Sequence, residues 1–111
     1  GGSNGLAIVN GTTGGVTMTA NAPTVVGING SATGGYLVAH PNGDTAVLFS
    51  NVTNRIYEYV PATDTWHDRA ALPATLQSGY SIYCALPNYG AWLIVDRKSG
   101  PILTYLLKPN F

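Results

Sequence analysis

Residues 55–73, Arg-Ile-Tyr-Glu-Tyr-Val-Pro-Ala-Thr-Asp-Thr-Trp-His-Asp-Arg-Ala-Ala-Leu-Pro, constrain the fold more than any other stretch. An aromatic β-forming run, a Pro-Ala-Thr-Asp turn and a second run bearing Trp66 read as an antiparallel hairpin that leaves at Leu72-Pro73. The same grammar covers the whole chain. β-rich runs fall near 6–10, 16–21, 36–40, 45–50, 55–60, 65–70, 79–86, 91–97 and 101–108, with a further run at 24–28. Between them stand turn residues: Asn10-Gly11, Asn29-Gly30, Pro41-Asn42-Gly43-Asp44, Pro61-Ala62-Thr63-Asp64, Pro87-Asn88-Tyr89-Gly90 and Lys98-Ser99-Gly100-Pro101. No segment of useful length repeats apolar residues at helical spacing, so the chain is expected to be all-β.

Self-comparison adds a repeat. One shift lays Leu6-Ala7-Ile8-Val9 on Ile56-Tyr57-Glu58-Tyr59, Val16 on Trp66 and Ala22-Pro23 on Leu72-Pro73. A second lays Pro41-Asn42 on Pro87-Asn88 and Ala46-Val47-Leu48-Phe49 on Trp92-Leu93-Ile94-Val95. Gly35-Tyr36 meets Gly79-Tyr80, both tyrosines expected in the core, and Tyr57…Pro61 meets Tyr105…Pro109. The order of turns and strands therefore recurs with a period of about 46 residues, the span of one propeller blade.

The stretch 36–73 resembles the kelch-type β-propeller repeat, with an aromatic strand, a Thr-Asp turn and a Trp-bearing strand in the places of the third and fourth strands of a blade. The resemblance implies that Tyr57 or Tyr59 and Trp66 pack between sheets and that Thr63-Asp64 shapes the turn. The double glycine that ends the second strand of a kelch blade is replaced by Phe49-Ser50-Asn51 and Val95-Asp96-Arg97. The expected architecture is about two four-stranded blades in one domain, with a β-sandwich as the alternative. Residues 1–34 supply N-terminal strands and loops, 35–78 the kelch-like blade, and 79–111 a second, incomplete blade.

Two blades cannot close a ring that takes four to eight. Their bare faces imply either a fragment of a larger propeller or a ring completed by several copies, a trimer preferred. Some small bacterial and fungal lectins resemble this plan, with two blades per chain, threefold assembly and sugars bound between blades. An N-terminal strand completing a neighbour's C-terminal sheet would satisfy edges otherwise left open.

Composition narrows the partners. Charged residues make up 9% of 111 residues and the formal net charge is zero, so no field steers the chain to nucleic acid or anionic lipid. No run approaches the roughly 18 apolar residues of a membrane span, and Gly-Gly-Ser-Asn-Gly at the start carries no basic residue of a secretory signal. A surface built from Thr, Ser, Asn and Gly suits an extracellular or virion setting. Cys84, the single cysteine, lies in an apolar run and reads as a buried, inert thiol.

Catalytic motifs are missing. There is no G-x-S-x-G, P-loop or G-x-G-x-x-G, and His40, His67 and Cys84 lack metal-ligand spacing, so neither an enzyme nor a cofactor is expected. Sugar binding needs flat apolar rings and fixed polar groups. Trp66, His67, Asp68 and Arg69 supply both within four residues, and alternation puts Trp66 and Asp68 on one face, His67 and Arg69 on the other. Asn88, Tyr89 and Trp92 form a second candidate around a turn. The sequence thus predicts a non-enzymatic recognition or adhesion module for cell-surface carbohydrate, such as the receptor-binding tip of a phage tail fibre. A structural subunit with self-contacts only, or a piece of a larger propeller, are the alternatives.

Overall fold

Among the described residues, β-propensity and turn chemistry translate directly into nine strands. The computed structural model describes residues 6–23, 35–76, 81–96 and 103–111. The strands are β1 (Ala7–Val9), β2 (Val16–Met18), β3 (Gly35–Ala39), β4 (Ala46–Ser50), β5 (Arg55–Val60), β6 (Thr65–Ala71), β7 (Ser81–Leu86), β8 (Ala91–Asp96) and β9 (Leu103–Leu107). The run at 24–28, the Asn29-Gly30 and Lys98-Ser99-Gly100-Pro101 turns and Tyr80 lie outside the described residues.

The strands form three antiparallel sheets: a β1-β2 hairpin, a four-stranded sheet in the order β3-β4-β5-β6, and a three-stranded sheet in the order β7-β8-β9. Every neighbour in a sheet is also the neighbour in sequence, so among the described residues the chain meanders without a crossover. The short connections use the expected chemistry. Ser50 Oγ accepts the Val52 and Thr53 amides, each at 3.2 Å, and shapes the β4–β5 turn. Gly35 opens β3 so close to β4 that a Cβ there would sit 2.7 Å from the Phe49 carbonyl oxygen.

One face of the four-stranded sheet carries Val47, Phe49 and Ile56, and it packs on Trp92 and Ile94 of the three-stranded sheet. Leu72 and Leu76, just past β6, join this core, with Tyr83, Ala85, Tyr105, Leu107 and Phe111 packed against it. Phe49 stacks on Tyr83 at 4.4 Å between ring centroids and meets Trp92 edge-on at 4.9 Å. The first strands of the two sheets, β3 and β7, run beside each other. On the far side β6 and the C-terminal segment bound a crevice of about 190 Å3, lined by Ile56, Ala70, Pro73, Trp92, Leu107 and Phe111.

The opposite face of the four-stranded sheet is covered by residues 19–22. Ala22 packs on Leu48 and Tyr57, with Trp66 alongside. The Ala20 amide donates to Asp64 Oδ1 at 2.8 Å, and the Trp66 indole N–H donates to the Ala20 carbonyl at 3.2 Å. Tyr57 and Tyr59 are buried. Strands β1 and β2, by contrast, are exposed along their whole length.

Two burial expectations are corrected. Cys84 is exposed, not buried, because register pairs it with Leu93 and Leu106 on the face of β7-β8-β9 turned away from the core. Tyr36, expected in the core, is 39% exposed, since β3 is an edge strand and only one side of the ring meets Tyr83.

Phe49→Ala, at the centre of the inter-sheet contact, is expected to cost about 3–5 kcal/mol, whereas Ile82→Ala, on the open face, costs less than about 1. Equilibrium urea unfolding of the two variants checks the contrast.

Candidate functional site

The β3–β4 turn is held from beneath by a histidine. The His40 amide donates to the Thr45 carbonyl at 2.9 Å and closes the turn. His40 Nδ1 accepts the Asn42 amide at 3.1 Å, so Nε2 carries the ring proton and donates to the Phe111 carbonyl at 3.0 Å. The imidazole is buried and meets Trp92 and Phe111 edge-on, at 5.7 and 5.3 Å. Trp92 in turn donates its indole N–H to the Ala39 carbonyl at 2.9 Å. An aromatic floor therefore fixes the position of the turn above it.

The β7–β8 turn abuts this one. Pro87 starts a single 3-10 turn over Pro87–Tyr89, and Gly90 ends it in the left-handed region at φ 58°, donating its amide to the Pro87 carbonyl at 3.1 Å. A Cβ on Gly90 would lie 2.8 Å from Asn42 Oδ1, so the two turns touch here and a side chain at residue 90 would make the Asn42 carboxamide move aside. Tyr89, 66% exposed, stands at the tip. Asn88 and Asn42 are exposed as well. The pair of turns thus presents one aromatic ring to solvent, with Asn42 and Asn88 each contributing donors and an acceptor.

The four-residue candidate on β6 is dispersed. Trp66 is half-buried, with its ring 5.1 Å from Tyr59 and its N–H given to Ala20. Asp68 takes a bidentate contact from Arg55, with Nη2 to Oδ1 at 2.8 Å. A register shift between Ile56 and Tyr57 makes Arg69 the extra residue of a bulge. Its Nε donates to Glu58 Oε1 at 2.9 Å, and the guanidinium lies 6.0 Å from the centre of the Phe111 ring. His67 is exposed and lies 3.0 Å from Thr65 Oγ1. Three of the four side chains are therefore engaged in holding the sheet.

Trp92 also departs from expectation. At 1% exposure it is a core residue and offers no face to a ligand. The reason is its register: it stands opposite Ala85 and Leu107 on the inner face of its sheet. Of the second candidate set, Asn88 and Tyr89 stay at the surface and Trp92 supports them from below. Asn42 was not singled out from the sequence, although the repeat laid Pro41-Asn42 on Pro87-Asn88. That correspondence was the available signal.

Two carboxylates carry the local electrostatics. Burial pushes the Glu58 carboxyl up, but hydrogen bonds from Thr45 Oγ1 at 2.6 Å and from Arg69, with the Arg69 charge, outweigh it and leave it below the usual range. The Tyr59 hydroxyl at 2.6 Å, then the Ala20 amide, lower the Asp64 carboxyl. Asp64 occupies the left-handed region at φ 51°, which an Asp tolerates better than most residues. Among the described residues no three His, Cys, Asp or Glu side chains gather to hold a metal ion.

Comparison of the chain with protein-family models, with curated proteins and with solved structures finds no match.

Gly90→Ala is expected to cost about 1–2 kcal/mol of backbone strain and to displace Asn42, read as lost stability in urea and shifted Asn42 amide resonances. Both carboxylates are held below their unfolded values, so their contribution is present above about pH 4.3 and lost as pH falls through their folded values. Acid unfolding should therefore show a weaker pH dependence in Glu58→Gln than in the parent.

Proposed function

We propose that this chain is a non-enzymatic recognition module that binds carbohydrate at the paired β3–β4 and β7–β8 turns and works as a homo-oligomer. The observation that carries the reading is the Tyr89 ring, solvent-exposed at 66%, on a turn in contact with the one that bears Asn42. A pyranose presents an apolar C–H face and a rim of hydroxyls. A tyrosine ring stacks on the first, and carboxamides at fixed positions bond the second without charge. Because hydrogen bonds of His40 and of the Gly90 amide order each turn from within, little ordering entropy opposes binding.

The fold reading that accompanies this is a pair of propeller-type blades. It is supported by a four-stranded meander followed by a three-stranded one, joined face to face with their first strands side by side. A two-sheet sandwich accounts for the same contacts. The exposure of Ile82, Cys84 and Leu106 on the outer face of β7-β8-β9 favours the multi-copy plan, with a threefold ring as the expected number. The sparse charge of the chain suits an extracellular or virion surface, such as a fibre tip that meets cell-surface glycans. That same face also favours a second reading, a structural subunit whose contacts are with its own copies.

Glycan-array binding separates the two. Tyr89→Ala and Asn42→Ala should abolish binding to any retained glycan while leaving the unfolding midpoint within experimental error, because both side chains are exposed. Trp66→Ala should instead lower the midpoint. Failure of the parent protein to bind any glycan, while still assembling, would favour the structural subunit.

A further inference from the structure

The turn that presents Asn42 also carries a peptide linkage open to a chemical change of its own. Asn precedes Gly at Asn4, Asn10, Asn29 and Asn42. Asn10-Gly11 and Asn42-Gly43 lie among the described residues, each between paired strands, and their surroundings differ. Asn10 Oδ1 accepts the Thr12 amide at 2.8 Å and the Thr13 amide at 3.0 Å. The Asn10 amide donates to the Gly15 carbonyl, and the Asn10 carbonyl accepts the Gly14 amide, both at 2.8 Å. Side chain and main chain of residue 10 are therefore held in one closed turn.

Asn42 is held through its main chain. Its amide donates to His40 Nδ1 at 3.1 Å, while its carboxamide makes no hydrogen bond among the described residues and turns Oδ1 toward Gly90. The next amide, that of Gly43, reaches the His40 carbonyl only at 3.4 Å, longer than the usual range for such a bond. Asn42, Gly43 and Asp44 are all exposed. A Cβ built on Gly43 would meet no atom within 4 Å, so the linkage is open on the side where a side chain would stand. An unbonded carboxamide and a weakly bonded amide nitrogen thus adjoin at a solvent-facing tip.

We infer that Asn42 is a site of spontaneous deamidation, converted in the folded protein to an aspartyl or isoaspartyl residue. The Gly43 nitrogen loses its proton and bonds to Asn42 Cγ. The Cγ–Nδ2 bond breaks, and Nδ2 takes up a proton and leaves as ammonia. The cyclic imide then adds one water. Opening at Cγ restores the ordinary peptide with a carboxylate side chain, and opening at the main-chain carbonyl carries the backbone through Cγ instead. One water is consumed and one ammonia released, with no change of oxidation state. Glycine favours closure because no Cβ hinders the approach to its nitrogen. Closure needs rotation about the Asn42 main chain, which gives up the 3.4 Å bond to His40. At residue 10 the carboxamide must first leave the two amides that hold Oδ1, a difference of about tenfold or more in rate. Either product sets a new negative charge near Asp44 and removes the carboxamide donors of residue 42. The modification stands apart from the carbohydrate reading; its effect on binding rests on that reading.

The test is a peptide map by mass spectrometry after incubation of the folded protein in mildly alkaline buffer, followed at Asn10 and Asn42 together. Conversion at Asn42 should run about tenfold faster or more, whereas in urea the two Asn-Gly pairs should convert at like rates. Gly43→Ala should slow conversion at Asn42 and leave the unfolding midpoint within experimental error, since the added Cβ meets open space. An Asn42-to-Asn10 ratio no larger in the folded protein than in urea would overturn the assignment. So would a rate at Asn42 that Gly43→Ala leaves unchanged. Glycan binding of the same samples should fall in step with conversion at Asn42 and persist over the same period in the Gly43→Ala protein. Freshly prepared protein that binds no glycan, yet converts at Asn42, would overturn the carbohydrate reading and leave the modification in place.

Discussion

Trp92 ties the molecule together. Its indole N–H is held by the Ala39 carbonyl of the neighbouring sheet, and its ring is edge-on to Phe49 below and to His40 beside it. A buried indole that lost that acceptor would leave an unpaired donor, which costs more than an average hydrogen bond contributes. The bond therefore sets where β8 sits against β3. The adjacent turns follow: His40 is placed by the ring, Asn42 by His40, and the β7–β8 turn closes on its own Gly90-to-Pro87 hydrogen bond beside Asn42. The surface chemistry of Tyr89 and Asn42 is thus fixed by packing two layers beneath it.

The strands were legible because each is short, β-rich and punctuated. Runs at 45–50, 55–60 and 91–97 became β4, β5 and β8 with boundaries nearly unchanged. Turn chemistry was legible too: Asp64 in the Pro-Ala-Thr-Asp turn takes the left-handed backbone that its residue type tolerates. Facing was harder. Tyr83 and Cys84 are neighbours in one apolar run, and period-2 alternation says only that they point apart. Which of them points inward depends on where the other sheet lies, and local sequence carries no sign of that. The same ambiguity led Trp92 to be counted as a surface ring and Tyr36 as a core ring.

The candidate site shows a related limit. Trp66-His67-Asp68-Arg69 looked like a binding cluster because its residue types are those of sugar sites. Three of these four residues are engaged locally, by Ala20, Arg55 and Glu58, none of which adjoins them in sequence. Long side chains on a half-covered sheet find partners across strands before they find ligands. Tyr89 escaped that fate because a tip residue has no cross-strand neighbour. A turn position was therefore a better sign of availability than a favourable composition.

The bulge at Arg69 connects these observations to the shape of the crevice. In an unbroken ladder residues 67 and 69 would share a face, and the β6 backbone would continue straight past β5. The extra residue bends β6 and lets Arg69 reach Glu58 while its guanidinium stays near the Phe111 ring. Phe111 is in turn held by His40 through its carbonyl. A charge pair on one sheet and a histidine on its edge strand thus grip the same C-terminal residue from two sides. Residues 107–111 thus line the crevice together with β6 and Trp92, and Phe111 packs on the inter-sheet core there.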